Sequence, residues 1–590
     1  MTSTVVGNTD CIHERWKEGN RYFVRQHLKN EMTIQSFSQN CRFHFDHDTL
    51  IHLESDAYVC NPEVIVISEY GEPSDRLIQA SRFTGDRQRC RKESQRQQPS
   101  WMPVDLNSIQ ANHTKVAPGM IYNLEFPWTS EMLLEFGPQW LTKAFHTANT
   151  LPPDNKITAI KNVQRIDSGS NGHKLCFDVD YKYASPELHT ELFAKIPYPL
   201  TGATLSDRLS SSIYKQPQDL SEINAYRLLE DVMPFRIPKY YFGDVSNETT
   251  NFILITERVK FSKLDQQIQA FDIEGPYEKC MDWTLRASPL EYYMLLVRAG
   301  AQLAGYWKAG RLGDPCILNK CFENWTGRST ESWGMKKGAS SGMSDTEFKS
   351  KFAGAEDFIL RKIAKLLPAE VSCQSFTNSY GRLLGLVNAY SAEISWWLHC
   401  DADYIALTHQ NLNVDNAYFW RDGAGRLNAG IFDWGGTRAS SLGFKLWYWL
   451  YCAEFEFLDE YSTQLMQVFI DAYHEAGGPL LELRKLRSQW LMTALTQALQ
   501  LLGTIPQIYR MCHPAELTKI TSRRDSRICA NVDGKGTLRM YISMFVLTTT
   551  MISRWNLQEV MDTWITDFCS TTGSAPKVAD HFMIERDCAE

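Results

Sequence analysis

The chain has 590 residues, of which 43% are hydrophobic, 22% charged and 12% aromatic. This is a globular composition too long for one core, so several domains are expected and disordered or fibrous classes are excluded. A net charge of −8 with a pI near 6.0 provides no general attraction to nucleic acid or an anionic membrane, and neither partner is expected.

The first twenty residues include Asp10, Glu14 and Lys17 and lack an apolar stretch, so no secretory signal is expected. Fifteen cysteines without a single C-x-x-C pair argue against zinc ligation and a disulfide framework and fit reduced thiols in a cytoplasmic protein. The sequons at Asn112 and Asn247 are therefore expected to stay unmodified. No uncharged apolar run reaches the ~18 residues needed to span a bilayer, and Met540 to Ser553 is too short.

Residues 1–85 alternate short apolar runs, such as Glu63 to Ser68, with polar segments, and read as an N-terminal extension or a small α+β unit. Residues 86–120 read as a linker. Its basic run from Arg87 to Lys92 with Arg96 lacks interleaved aromatics, which favours a solvated segment over a nucleic-acid patch. Thr129 or Ser130 is a candidate N-cap for a following helix.

From residue 157 the pattern becomes one of strands. Ile157 to Ile166, His173 to Tyr181 and Leu188 to Ile196 read as strands, with a turn over 167–172 and Leu175, Phe177 and Val179 on one face. Leu220 to Asp231 reads as a helix, and Pro238 to Val245 and Asn251 to Val259 as two more strands. Residues 121–259 would then form one lobe and 260–590 a helical second lobe. Its helices are expected at Leu290 to Gly310, Phe352 to Leu367, Phe376 to His399, and near 441–475, 480–503 and 538–568, with an insertion near 311–350.

Three stretches carry candidate chemistry. In the turn Ser168 to Gly172, Gly169, Ser170 and Gly172 allow backbone N–H groups to approach phosphates, although an ordinary hairpin turn has the same composition. Lys195, flanked by apolar residues on a strand, is costly to bury unless paired, and Glu222 on the next helix is its natural partner. The alternative is a surface lysine at a strand end. The longest signal is His409-Gln-Asn-Leu-Asn-Val-Asp-Asn416, followed by a strand, a turn at Asp422 to Gly425, and a strand ending in Ile431-Phe-Asp-Trp434. That hairpin returns Asp433 beside Asn416, and a carboxylate with an amide oxygen suits magnesium. Alternatively, His409 and Asn416 brace the loop by hydrogen bonds.

The two-part motif resembles that of the aminoglycoside phosphotransferase and choline kinase-like superfamily, whose loop reads H-G-D, four residues, then N, with a later D-W or D-F/W/E. The resemblance covers about 325 residues, roughly 155 to 480. It implies an α+β protein-kinase-like bilobal fold, with an antiparallel-sheet N-lobe and a mainly helical C-lobe. It implies ATP and Mg2+ as cofactors and a hydroxyl group on a small molecule as acceptor. By the same resemblance Lys195 binds the α- and β-phosphates, Glu222 orients it, and Asn416 and Asp433 hold magnesium. His409 and Asn411 occupy the catalytic loop, and Glu257 to Val259 the hinge that contacts adenine through its backbone.

Two residues depart from that pattern. Gln410 replaces Gly, and Asn411 replaces the Asp that takes the acceptor proton; an amide is no base at neutral pH. Asp415 offers no convincing replacement. The expectation is an ATP-dependent phosphotransferase with a weakened proton route; the alternative is a pseudokinase acting through nucleotide binding or a protein partner. No G-x-S-x-G or H-E-x-x-H motif supports a hydrolase. Trp396, Trp397, Trp447, Tyr448, Trp449 and Tyr451 include the right side chains to cage a quaternary ammonium group, but their helical spacing is that of core residues.

Overall fold

The computed structural model describes the strands within residues 4–67 and residues 106–166, 172–198, 219–262, 267–322, 342–532 and 535–577. The chain divides into two compact units, residues 1–96 together with 313–317, and the remainder. Within residues 4–67 the described elements of the first unit are strands: β1 (Thr4–Asn8), β2 (Cys11–Glu18), β3 (Arg21–His27), β4 (Met32–Ile34), β5 (Arg42–Phe45), β6 (Ile51–Glu54) and β7 (Ile65–Ile67). They pair as a five-stranded sheet, β1-β2-β3-β6-β5, and a two-stranded one, β4-β7.

In the second unit, helix α1 (Leu106–Asn112) lies within the stretch read as linker, and its Ile109 is fully buried. Helix α2 (Ser130–Thr147) starts at Thr129, whose hydroxyl accepts the Met132 N–H, and kinks at Gly137-Pro138. A five-stranded antiparallel sheet follows: β8 (Ile157–Ile166), β9 (His173–Tyr181), β10 (Glu191–Ile196), β11 (Tyr240–Val245) and β12 (Phe252–Glu257), in the order β11-β12-β10-β9-β8. Helix α3, residues 219–229, connects β10 to β11.

Alternation along these strands separates two faces. Leu175, Phe177, Val179, Leu192, Ala194, Ile196, Ile253 and Ile255 pack under α2, against Leu133, Trp140, Leu141 and Phe145. The opposite face meets α3, with Phe252, Leu254 and Val245 against Ile223 and Tyr226. That second face also carries Lys195, so the alternation itself aims this lysine at the helical lobe.

The second lobe is built on α4 (Pro289–Lys308), α5 (Pro315–Phe322), α6 (Asp345–Asp357), α7 (Gln374–Ala389), α8 (Ser391–His399), α9 (Leu442–Leu450), α10 (Phe455–Glu475) and α11 (Leu483–Leu501). Helices Thr537–Arg554 and Leu557–Thr572 close it. Along α4, Gly300 and Gly305 leave room for Trp449 and Ala476, which a Cβ at either position would overlap. Two hairpin-like sheets hold the loops of interest: β13 (Ile405–Thr408) with β16 (Arg438–Ser441), and β14 (Ala417–Arg421) with β15 (Leu427–Ile431). The second unit is an α+β bilobal fold of the kinase-like type.

Some boundaries differ from the sequence reading. The helix expected over 352–367 begins at Asp345, where Ser344 caps it, and gives way at Phe358 to a wider π turn. The one expected over 376–399 breaks at Tyr390. The stretch near 311–350 is anchored by Leu312, Leu318, Phe322 and Phe348, all buried; residues 323–341 lie outside the described residues.

Asp244 on β11 ties the incoming chain to the sheet: its carboxylate accepts the N–H groups of Ile121, Tyr122 and Val245, each at 2.9 Å. A Cβ on Gly119 would fall 2.0 Å from that carboxylate carbon, so only glycine passes here. Asp244→Ala orphans three N–H groups and is expected to cost on the order of 3 kcal/mol, read as a lowered urea midpoint with unchanged m.

Candidate functional site

Lys195 is the centre of the cleft between the lobes. Its Nζ donates to Glu222 Oε2 at 2.7 Å and to Asp433 Oδ1 at 2.8 Å. The Lys195 and Glu222 side chains are 5% and 4% exposed, whereas Asp433 is 45% exposed toward the cleft. Burial opposes the ammonium form, but Asp433 and Glu222 outweigh it and hold Lys195 charged. Burial likewise works against ionised Asp433, yet the charge and hydrogen bond of Lys195 keep its carboxyl well below the usual carboxylate range. Burial, opposed by Lys195 and reinforced by the negative Asp433, pushes Glu222 up to about 7. One cation is thus shared unequally between two carboxylates.

Local backbone fixes this geometry. Asp433 sits in the left-handed region at φ 59°, which Asp tolerates better than most residues, and so turns back toward Lys195 right after β15. The Gly436 N–H donates to Ser221 Oγ at 3.0 Å, fastening the loop after Asp433 to the first turn of α3. Trp434 is buried, stacked on Phe235 at 6.0 Å.

The loop after β13 is laced by its own side chains. His409 is fully buried with its ring edge-on to Trp434 at 4.8 Å. Its Nδ1 accepts the Asn411 N–H at 3.1 Å, which leaves the ring proton on Nε2, 3.1 Å from the Phe432 carbonyl. Burial pushes its pKa down to about 4, so the ring is neutral. Asn416 Nδ2 donates to the Asn411 carbonyl at 2.7 Å, leaving its Oδ1 as the atom for a metal. The Asn411 Oδ1 accepts from Asn413 Nδ2, which also reaches the Tyr448 carbonyl at 3.2 Å. Asp415 is committed to Lys279, at 2.9 Å, so it does not substitute for a base at 411.

Gln410 has a reason of its own. Its Oε1 accepts from Lys445 Nζ at 2.6 Å, and Lys445 is fully buried on α9 with no carboxylate partner among the described residues. Burial, together with nearby Arg438, pushes that amine far below the usual lysine range. The Gln410 side chain runs over Gly436, whose absent Cβ would be 3.4 Å from Cγ.

Of the predicted nucleotide residues, Gly169 and Ser170 lie outside the described residues. Gly172, at φ 136°, is obligatory because a Cβ would meet the Ile196 carbonyl at 2.3 Å. At the hinge, the Glu257 N–H is spent on the Lys239 carbonyl, and its own carbonyl accepts from Thr256 Oγ1. Its side chain accepts from Arg236 at 2.6 Å. Arg258 N–H is spent on Glu191, so Val259 is the hinge residue whose N–H makes no hydrogen bond among the described residues. Lys174 and Lys445 were not singled out by sequence reasoning, and neither lies in a motif. Of the aromatics, Trp447, Trp449 and Tyr451 are buried core, and Trp396 is exposed on α8 against Phe568.

The oxygen set fits a hard divalent cation: the ionised, cleft-facing Asp433 carboxylate and the Asn416 Oδ1.

No family model and no curated protein matches the chain. Among solved structures it is similar to the GDP complex of a point mutant of aminoglycoside 2'-phosphotransferase-IIIa, at 13% identity over 65% of this chain and 96% of that one, TM-score 0.32. It is also similar to a microcompartment-associated aminopropanol kinase (11%, 68% and 94%, TM-score 0.34) and to an ethanolamine kinase from Plasmodium vivax (10%, 67% and 83%, TM-score 0.31). Identities this low leave substrate and activity to the site's own residues. Among the described residues no helix is long and apolar enough to cross a membrane.

Two outcomes are expected from the loop. Because unfolded His409 takes up a proton near pH 6.5 and folded His409 only near 4, stability is lost as pH falls through that window. The loss from this residue is about 3 kcal/mol, and His409→Gln is expected to flatten the pH dependence of the unfolding midpoint there. Gln410→Gly strands the Lys445 amine and is expected to destabilise by ~1–3 kcal/mol, a loss that Lys445→Met restores in the double variant.

Proposed function

We propose that the cleft binds ATP with magnesium and transfers the γ-phosphoryl group to a hydroxyl on a small molecule. The observation that carries this reading is the buried Lys195 shared by Glu222 and Asp433, with Asn416 on the adjoining loop. Phosphoryl transfer is mostly positioning and charge neutralisation, and these groups supply both. Lys195 contacts the α- and β-phosphates, and Glu222 orients it. Gly172 allows close backbone approach, and the Val259 N–H faces the adenine edge. Asp433 and Asn416 would hold magnesium, which would supply charge neutralisation at the phosphate oxygens. His409 is a positioning residue, since both ring nitrogens are used inside the loop.

In the transfer step the acceptor oxygen forms a bond to the γ-phosphorus as the bond to the β,γ-bridging oxygen breaks and ADP leaves. With an amide at position 411, the hydroxyl proton passes to a non-bridging phosphoryl oxygen or to water. The missing carboxylate removes base assistance of the order of 10²–10⁴-fold. A slow transferase is the result.

A second reading has one observation in its favour. The Asn411 amide oxygen is already engaged by Asn413, so nothing at that position takes a proton. A nucleotide-binding pseudokinase acting through a protein partner would look the same. Thermal shift with Mg-ATP is expected to raise the unfolding temperature of the wild type, and Lys195→Met to abolish the rise. Asn411→Asp is expected to raise ATP turnover on a panel of alcohol acceptors by at least tenfold. Normal nucleotide binding with no turnover in either form would favour the pseudokinase.

A further inference from the structure

Lys174 lies directly opposite Lys195 in the antiparallel register of β9 and β10. Opposite residues share a sheet face, with Cβ atoms about 5 Å apart. Lys195 faces the cleft, so Lys174 does too. The Leu175, Phe177 and Val179 positions of β9 fill the other face under α2. Like charges placed this way repel and destabilise the sheet. Lys195 has two carboxylates to offset its burial; half-buried Lys174 makes no ion pair among the described residues. The charges it senses are those of the cleft itself: Asp433, Lys195, Glu222 and Asp415. Of these, Asp433 acts most strongly and attracts, so Lys174 is drawn toward the cleft by charge without forming an ion pair of its own among the described residues.

The charge balance of the cleft gives it a role. Lys174 and Lys195 face Asp433 and Glu222, while Asp415 is cancelled by Lys279. The loop contributes only neutral amides at Asn411 and Asn416. A metal would find a single cleft-facing carboxylate, itself bonded to Lys195. A triphosphate, in contrast, would meet two ammonium groups side by side, two residues beyond the Gly172 turn.

We propose that Lys174 is a second phosphate-binding cation of this cleft, and that a nucleoside triphosphate is therefore retained without a divalent metal, which only the transfer step requires. The inference rests on the nucleotide-binding reading above. Lys195 is held on the protein side by Glu222, whereas Lys174 is free to follow the phosphates, and its pairing with them relieves its repulsion from Lys195.

Calorimetric titration of the full chain with ATP, in excess EDTA and in excess magnesium, tests this. Wild type is expected to bind in EDTA within about tenfold of its affinity in magnesium. Lys174→Met is expected to weaken binding in EDTA about 10- to 100-fold, the scale of a lost charged hydrogen bond, while largely keeping binding in magnesium. Without nucleotide the same variant is expected to keep a cooperative thermal transition, which establishes that it folds. Wild type that binds in magnesium but not in EDTA overturns the proposal and leaves the nucleotide reading standing. So does Lys174→Met binding as tightly as wild type in EDTA. Absence of binding in both conditions overturns the nucleotide reading itself.

Discussion

A buried ammonium group must be paired, and that requirement organises this molecule. Lys195 can sit on an inner strand only because Glu222 arrives from α3 and Asp433 from the far lobe. Each partner needs its own support. Glu222 needs α3 to be docked, and α3 is docked through Ser221 to the loop that carries Asp433. Asp433 needs a left-handed turn immediately after β15, and Trp434 beside it is locked between Phe235 and His409. The two lobes are therefore joined at the point where charge is concentrated. Loss of any one partner leaves an uncompensated buried charge, which is far more costly than a lost surface pair.

The loop from His409 to Asn416 follows a different logic. Its carboxylate, Asp415, is committed to Lys279, and Asn411 and Asn416 are neutral amides. Its shape is held by a neutral imidazole and by side-chain amides, in bonds within the loop and to the Phe432 and Tyr448 carbonyls. A loop of this kind keeps its form irrespective of its chemistry, which is why Asn411 is accommodated with its backbone interactions intact. The form of this loop and the presence of a proton acceptor in it are separable properties.

Much of this was legible in the sequence because it depended on short-range rules. Period-two alternation located β8, β9 and β10, and the expense of burying a lysine named Glu222 as a partner before any geometry was known. The motif spacing brought Asp433 to Asn416. Lys174 escaped notice because cross-strand register is set by the turn and the opposing strand, so a lone lysine after a glycine-rich turn reads as a surface residue. Lys445 escaped for the opposite reason: on an aromatic helix it resembles an exposed position, and only the tertiary packing of α9 against the loop buries it. Helix ends at Tyr390 and Phe358 were missed because no Gly or Pro marks them.

The bond between Gln410 and Lys445 also constrains how this loop can change. Gln410 is half-exposed and can lose its donor to water, but the Lys445 amine has no other hydrogen-bond partner among the described residues. The two positions are epistatic in one direction. Replacing the lysine first passes through a stable intermediate, while replacing the glutamine first passes through one with a stranded amine. Any path from this loop to one with glycine beside His409, whether taken by drift or by design, therefore has a preferred order.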